Sequence, residues 1–329
     1  MPASLHHGIG QLALVGFDGL SITPEVASLA RQFDLGGVIL FKRNVESPEQ
    51  VAEIAWRARA LSRGLPPWVG VDQEGGRVAR VRAPLTEWPP AETLGRAGSE
   101  ALAERFGAAL ALELSVLGLS IDFAPVLDVL TNPANPVLVE HPPDRFRAVD
   151  FVPFRAAIAA GVAGVMTGHL LVPAFDGERP ATLSRAIVQG LLREELGFGG
   201  LVFTDDMNMK AVAARYTPGR AAVAAIAAGC DALLLCGTDP AVQSEVLEEL
   251  IHAVEREELP YTRVEEAIAR QRDAKARFAS LDPSPDPVTG DPVVPPLHRD
   301  WRPLRPEALR RVIGRDEHQA VADEMRGYL

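Results

Sequence analysis

Short apolar runs alternate with longer segments rich in Ala, Leu, Glu and Arg along almost the whole chain. This alternation limits the fold more than any other feature. Apolar runs of this length, bounded by turn residues, fit strands buried on both faces. Strands are expected near residues 9–15, 37–41, 68–72, 119–124, 164–168, 201–205 and 232–236. Between them the spacing predicts helices. Pro24 to Phe33 is the first, with Thr23 as N-cap and Pro24 at the first helical position. Others follow over Ala101 to Leu117, Phe151 to Ala160, Ile187 to Leu196, Arg220 to Ala228, Gln243 to Glu257 and Val264 to Phe278. Repeated strand–helix units imply parallel strands with right-handed crossovers. So many units in one chain predict an α/β fold of the TIM type, a single-domain (β/α) barrel. An open doubly wound sheet is the alternative. It wants a Gly-rich phosphate turn after the first strand, and Gly16-Phe17-Asp18-Gly19 is a poor match.

The strand ends carry polar groups. The second predicted strand leads into Lys42-Arg43-Asn44, the third into Asp72-Gln73-Glu74, and the fourth into Pro125 and then Asp128. The fifth leads into Gly168-His169 and the sixth into Asp205-Asp206. Buried polar groups are costly unless paired or used. Their convergence on one rim marks the carboxyl ends of the strands as the expected pocket, where barrels keep their chemistry. Each residue also has a plainer reading. A carboxylate after a strand often caps the next helix, a role that suits Asp206 better than Asp205. A lone rim histidine such as His169 is more often a satisfied structural group than a catalyst.

Composition excludes several functions. The net charge of −11, with no basic run, argues against nucleic-acid binding. No apolar stretch is long and uninterrupted enough to span a bilayer, and the N-terminal residues lack a charged region followed by an apolar one. A cytoplasmic location is expected. Cys230 and Cys236 form no CxxC or Cys/His cluster, so they are expected to be buried free thiols rather than metal ligands or a disulfide. Lysine occurs only at positions 42, 210 and 275, which leaves few candidates for Schiff-base chemistry. The absence of a His-x-His pair and of a well-placed strand-end lysine apart from Lys42 disfavours an aldolase or a metal hydrolase.

Beyond Phe278 the composition changes. Asp282 to Pro296 is rich in Pro, Asp and Gly and reads as a linker or surface strap, and Pro306 to Leu329 as a final charged helix. The expected division is a barrel over 1–280 and a strap with a helical tail over 281–329, either packed on the barrel or disordered. A monomer or weak dimer is expected.

Several motifs together resemble the family 3 glycoside hydrolases. They are Gly37-Val38-Ile39-Leu40-Phe41, Val71-Asp72-Gln73-Glu74-Gly75-Gly76-Arg77-Val78-Ala79-Arg80 and Phe123-Ala124-Pro125-Val126-Leu127-Asp128. Met166-Thr167-Gly168-His169, Pro180-Ala181-Thr182-Leu183-Ser184 and Thr204-Asp205-Asp206-Met207-Asn208-Met209 complete the set. The chain is most similar to the short, single-domain bacterial β-N-acetylglucosaminidases of cell-wall recycling, over roughly Leu12 to Phe278. The resemblance implies a retaining hydrolase of terminal β-linked N-acetylglucosamine on muropeptide-type sugars, with no metal or organic cofactor. It implies that Asp205 is the catalytic nucleophile and that Asp72 and Arg80 hold sugar hydroxyls. His169 is expected to bind substrate in the same pocket, with Asp72 and Arg80. The residue types agree with this chemistry: a carboxylate captures the oxocarbenium-like centre, and charged groups grip hydroxyls.

One departure is large. Between Asp128 and the helix from Phe151 the family carries another βα unit, with an Arg-rich loop, a Lys-His-Phe-Pro-Gly-His strand end and a loop bearing the acid/base Asp–His pair. Here Asn132-Pro133-Ala134-Asn135-Pro136-Val137 runs almost directly into Leu138-Val139-Glu140-His141. Roughly 50 residues, the size of one such unit with its loops, have no counterpart. Either the sequence omits residues of a longer chain, or the chain lacks the unit. Removing a strand from a barrel opens an edge and breaks the shear that closes it, which favours omission. A gap or opened seam is expected between the fourth predicted strand and the fifth. A chain without the unit would be a catalytically impaired, sugar-binding relative. Glu140 and His141, just after the junction, are the candidate substitute acids, though an ordinary Pro-rich loop is the commoner use of such residues.

Overall fold

The computed structural model describes residues 8–64, 66–128 and 139–329. Its strands are β1 (Ala13–Val15), β2 (Gly37–Leu40), β3 (Trp68–Val71), β4 (Gln73–Gly75), β5 (Val78–Ala79), β6 (Ile121–Asp122), β7 (Gly164–Met166), β8 (Leu201–Asp206) and β9 (Ala232–Leu235). Seven of these are parallel strands joined by helical crossovers, the build of a (β/α) barrel. β4 and β5 instead form a small antiparallel hairpin just after β3.

The chain divides into two compact units. One comprises Met1–Gly16, Ser28–Gly36 and Leu127–Ala274; the other comprises Phe17–Ala27, Gly37–Val126 and Lys275–Leu329. In the first unit the strand order is β1-β9-β8-β7, and in the second it is β6-β3-β2. β2, β3 and β9 are buried at every position, as are the first four residues of β8, as expected of parallel strands covered on both faces. The helices begin where the sequence supplies caps. The Ser47, Thr217 and Asp239 side chains accept backbone amides of the first turn, each followed by Pro at the first position.

Three sequence expectations shift. The first strand is only Ala13–Val15, and residues 8–10 are helical. Gly10 explains the change: its backbone crosses that of Phe33 so closely that a Cβ would lie 1.9 Å from the Phe33 carbonyl oxygen. The fourth strand shrinks to Ile121–Asp122, although the amides of Ser120 and Phe123 still bond to β3 at 2.9 Å. The C-terminal helix is two pieces, Pro306–Leu309 and Asp316–Arg326. Gly314, at φ 60°, breaks it where the backbone presses on the Pro84 carbonyl and its amide donates to Glu113 Oε1 at 2.6 Å.

β6 pairs only with β3, and β7 only with β8, among the described residues. These are the strands on either side of the unit that the resemblance finds missing. Both are half-buried rather than buried, and Met166 on β7 is 37% exposed. The junction over Asn132–Leu138 lies outside the described residues. Just beyond it, the Val139 amide donates to Leu171 O at 3.0 Å.

The tail from Ser280 onward contains a short hairpin, Ser284–Pro285 with Pro292–Val293. It lies against the unit that holds β3. Trp301 meets the backbone at Gly118, Arg302 stacks over Trp56 at 4.5 Å, and Arg59 donates to Pro296 O and His298 O. Asp286 is buried and accepts both Arg315 Nη1 contacts, at 2.8 and 2.9 Å. Cys230 is buried, and burial pushes its thiol up to about 12; Cys236 is only partly buried. No described helix is long and apolar enough to cross a membrane.

Candidate active site

Each residue expected in the site lies at or just beyond the carboxyl end of a parallel strand. In the unit holding β3, Asp72 follows the strand directly, and the β4–β5 hairpin folds the chain back so that Arg80 returns to it. The turn needs its glycines. Gly75 has φ 89°, and a Cβ there would lie 2.4 Å from the Pro89 carbonyl oxygen; Gly76 has φ 59°. Arg80 Nη2 donates to Asp72 Oδ2 at 2.7 Å, with both side chains partly exposed. The Arg80 guanidinium also lies over the Phe41 ring, 5.6 Å from its centroid. Asn44 is buried and donates to Phe17 O and Gly19 O, which fixes the loop after β2.

Gln73 organises this half. Its buried side chain accepts the amides of Arg80 and Val81 at 2.8 and 3.1 Å and donates to Val81 O at 2.7 Å. Its own amide donates to Asp122 Oδ1 at 2.9 Å, on the neighbouring strand β6. The Asp122 carboxyl is pushed up to about 7, chiefly by burial, with the Asp72 and Glu74 charges adding and the Gln73 amide opposing. Glu74 is raised too, by burial first and then by Asp72, with Arg80 working against both. Asp128 is raised by burial and by the charge of Asp150. Asp122 was not anticipated as a site residue, yet one signal marks it: a carboxylate inside the apolar run Leu119 to Ala124.

In the other unit, Asp205 and Asp206 end β8. A bulge takes in Asp205: Phe203 pairs with Ala232 and Asp206 with Leu234, so β8 spends three steps where β9 spends two. Such an extra residue bends a strand and re-aims its side chains. Thr204 Oγ1 takes up the Leu234 amide at 3.1 Å. Asp205 Oδ1 accepts the Asp206 amide at 2.7 Å. The Asp206 carboxylate instead accepts the amides of Asn208 (3.1 Å) and Cys236 (3.2 Å), and the Asn208 side chain at 3.2 Å.

His169, beyond β7, is buried. Its Nδ1 lies 2.9 Å from Thr182 Oγ1, and its Nε2 lies 2.9 Å from the Asp206 carbonyl oxygen. Two sets thus come together: Asp72 with Arg80, and His169 with the Asp205–Asp206 pair. Of the candidate substitute acids, Glu140 is exposed, and the His141 ring lies 5.6 Å from that of Phe146.

The family model described as "Glycosyl hydrolase family 3 N terminal domain" matches residues 4–141 and 134–272. A β-hexosaminidase of Stenotrophomonas maltophilia (strain K279a) is 33% identical over 300 residues, covering 74% of this chain and 87% of the relative. That share of a 329-residue chain is fewer than 300 residues, so the relative has positions without a counterpart here. Among solved structures, a glycoside hydrolase family 3 β-N-acetylglucosaminidase from Paenibacillus sp. str. FPU-7 is similar at TM-score 0.83 and 29% identity, over 98% of this chain and 68% of that one. A fungal multi-domain family 3 β-N-acetylglucosaminidase is similar at TM-score 0.85 and 25% identity over 97% of this chain, which spans only 42% of that protein's length. The family match runs through every parallel strand from β1 to β9, and by it the chain belongs to glycosyl hydrolase family 3.

Proposed function

We propose that the chain is a retaining β-N-acetylglucosaminidase acting in the cytoplasm on terminal β-linked N-acetylglucosamine of peptidoglycan-derived sugars. The observation that carries this reading is the setting of Asp205. Within the β8 bulge, its carboxylate accepts the Asp206 backbone amide at 2.7 Å, which orients it at the carboxyl end of the strand. Asp205 attacks the anomeric carbon as the bond to the leaving oxygen breaks, forming a glycosyl ester. Water then cleaves that ester and restores the carboxylate. Asp72 accepts and Arg80 donates hydrogen bonds to sugar hydroxyls, their mutual 2.7 Å contact holding both in place. His169 has both ring nitrogens on the protein's own groups, which favours a supporting role over a direct grip on the sugar. The names of the matched relatives, β-hexosaminidase and β-N-acetylglucosaminidase, support the substrate class.

A second reading, a catalytically impaired sugar-binding relative without the acid/base loop, has its own support. The family model matches in two stretches that share residues 134–141, and the aligned relative carries positions absent here. The two readings part on the leaving group. A dinitrophenyl β-N-acetylglucosaminide needs little protonation and so bypasses a missing acid. Proton NMR of its hydrolysis is expected to show the β anomer of N-acetylglucosamine first. The α anomer first would overturn retention. Turnover of this substrate with an unactivated alkyl β-N-acetylglucosaminide left intact would favour the impaired relative.

A further inference from the structure

We propose that His169 is a positioning residue for the nucleophile: through Asp206 it holds the Asp205 carboxylate in its attacking orientation. The inference rests on Asp205 being that nucleophile.

The hydrogen bonds fix the role of Nε2. A carbonyl oxygen can only accept, so Nε2, 2.9 Å from Asp206 O, carries the proton. Nδ1 lies 2.9 Å from Thr182 Oγ1, whose own hydroxyl donates to the Gly168 carbonyl at 3.0 Å. Thr167 in turn donates to Thr182 Oγ1 at 2.9 Å. His169, Thr182 and Thr167 are all buried, where such a chain is strong and a missing partner costly.

Asp206 is the piece being held. His169 fixes its carbonyl, and Asn208 and the Cys236 amide fix its carboxylate. Its amide then points at Asp205 Oδ1, 2.7 Å away. The need for such a hold comes from the bulge. Thr204 and Asp205 occupy the stretch where β8 and β9 lose register, so the ladder does not orient them as it does Phe203. Contacts from outside the ladder replace that control, and the His169–Thr182 pair supplies one from beyond β7.

The test uses the whole chain with a dinitrophenyl β-N-acetylglucosaminide for turnover, and calorimetric binding of N-acetylglucosamine for affinity. His169→Leu is expected to lower kcat by roughly 10–100-fold, the scale set by a misplaced reacting group. Sugar affinity should stay within about threefold of wild type, since the ring does not touch the sugar. His169→Gln, whose amide N–H can still reach the Asp206 carbonyl, should recover much of the loss. If His169→Leu does not fold, Thr182→Val removes the hydroxyl that Nδ1 contacts and should give the same split, with Thr182→Ser keeping wild-type behaviour. Weakened sugar binding with unchanged kcat in His169→Leu would overturn the proposal and make His169 a sugar ligand. Unchanged kcat and affinity in either folded variant would also overturn it. Full turnover by Asp205→Ala would instead overturn the nucleophile assignment, and the inference with it.

Discussion

The two carboxylates proposed to act on the sugar make different contacts. Asp72 is met by a guanidinium: Arg80 Nη2 lies 2.7 Å from Oδ2, so one full charge answers another. Asp205 is met by a backbone amide at the same distance, from a residue itself fixed by His169, Asn208 and the Cys236 amide. An ion pair orients a carboxylate but also neutralises it, which suits a group that only has to grip hydroxyls. A backbone amide aims a carboxylate through a fixed dipole rather than a full charge. The two contacts differ in kind, and the proposed reading gives binding to Asp72 and attack to Asp205.

Substitutions at the two positions should therefore separate kcat from KM. Asp205→Ala is expected to lower kcat by at least about 10³-fold, near 4 kcal/mol of transition-state stabilisation, with sugar affinity little changed. Asp72→Asn should act mainly on KM, raising it about 10–100-fold, because a hydroxyl-gripping charge is lost while the nucleophile stays in place. Steady-state kinetics on an activated aryl N-acetylglucosaminide reads both. The same split at both positions would break the comparison.

A smaller effect is expected behind the Asp72 side. Asp122, pushed up to about 7, binds its proton more tightly in the folded chain than in the unfolded one. Its stabilising contribution is therefore full below about pH 4 and is lost as the pH rises through 7. Asp122→Asn cannot ionise and still offers an oxygen to the Gln73 amide. Between pH 5 and 8, wild-type unfolding free energy should fall relative to the variant by about 1–2 kcal/mol, less than the full shift implies because solvent reaches part of the carboxyl. Parallel pH profiles in chemical denaturation would contradict this.

The strands buried on both faces were legible because nothing but apolar residues serves there: Gly37–Leu40, Trp68–Val71, Ala232–Leu235 and the start of β8 all fall inside predicted runs. What misled was backbone crowding. Ile9 and Gly10 read as strand, but the crossing with Phe33 turns them into a helical turn, and Gly314 breaks a helix that charge patterning made continuous. The proposed site was legible as strand-end motifs, since Asp72, Arg80 and Asp205 are fixed by local chain geometry. Its supports were not. The Gln73–Asp122 and His169–Asp206 contacts join residues 49 and 37 apart, and only strand register brings them together. The break in the family's motif order after Asp128 was legible in the sequence, and β6 and β7, the strands on either side of it in the chain, are half-buried with a single strand partner each among the described residues.

The central claim is that Asp205 forms the covalent bond. A fluorinated N-acetylglucosaminide with a good leaving group slows the second step and traps the glycosyl-enzyme, and proteolysis with mass spectrometry then locates the sugar. The account predicts one added sugar on the peptide containing Thr204-Asp205-Asp206, attached to Asp205 and absent in Asp205→Ala. A sugar on Asp206, Asp72 or any other residue would contradict it.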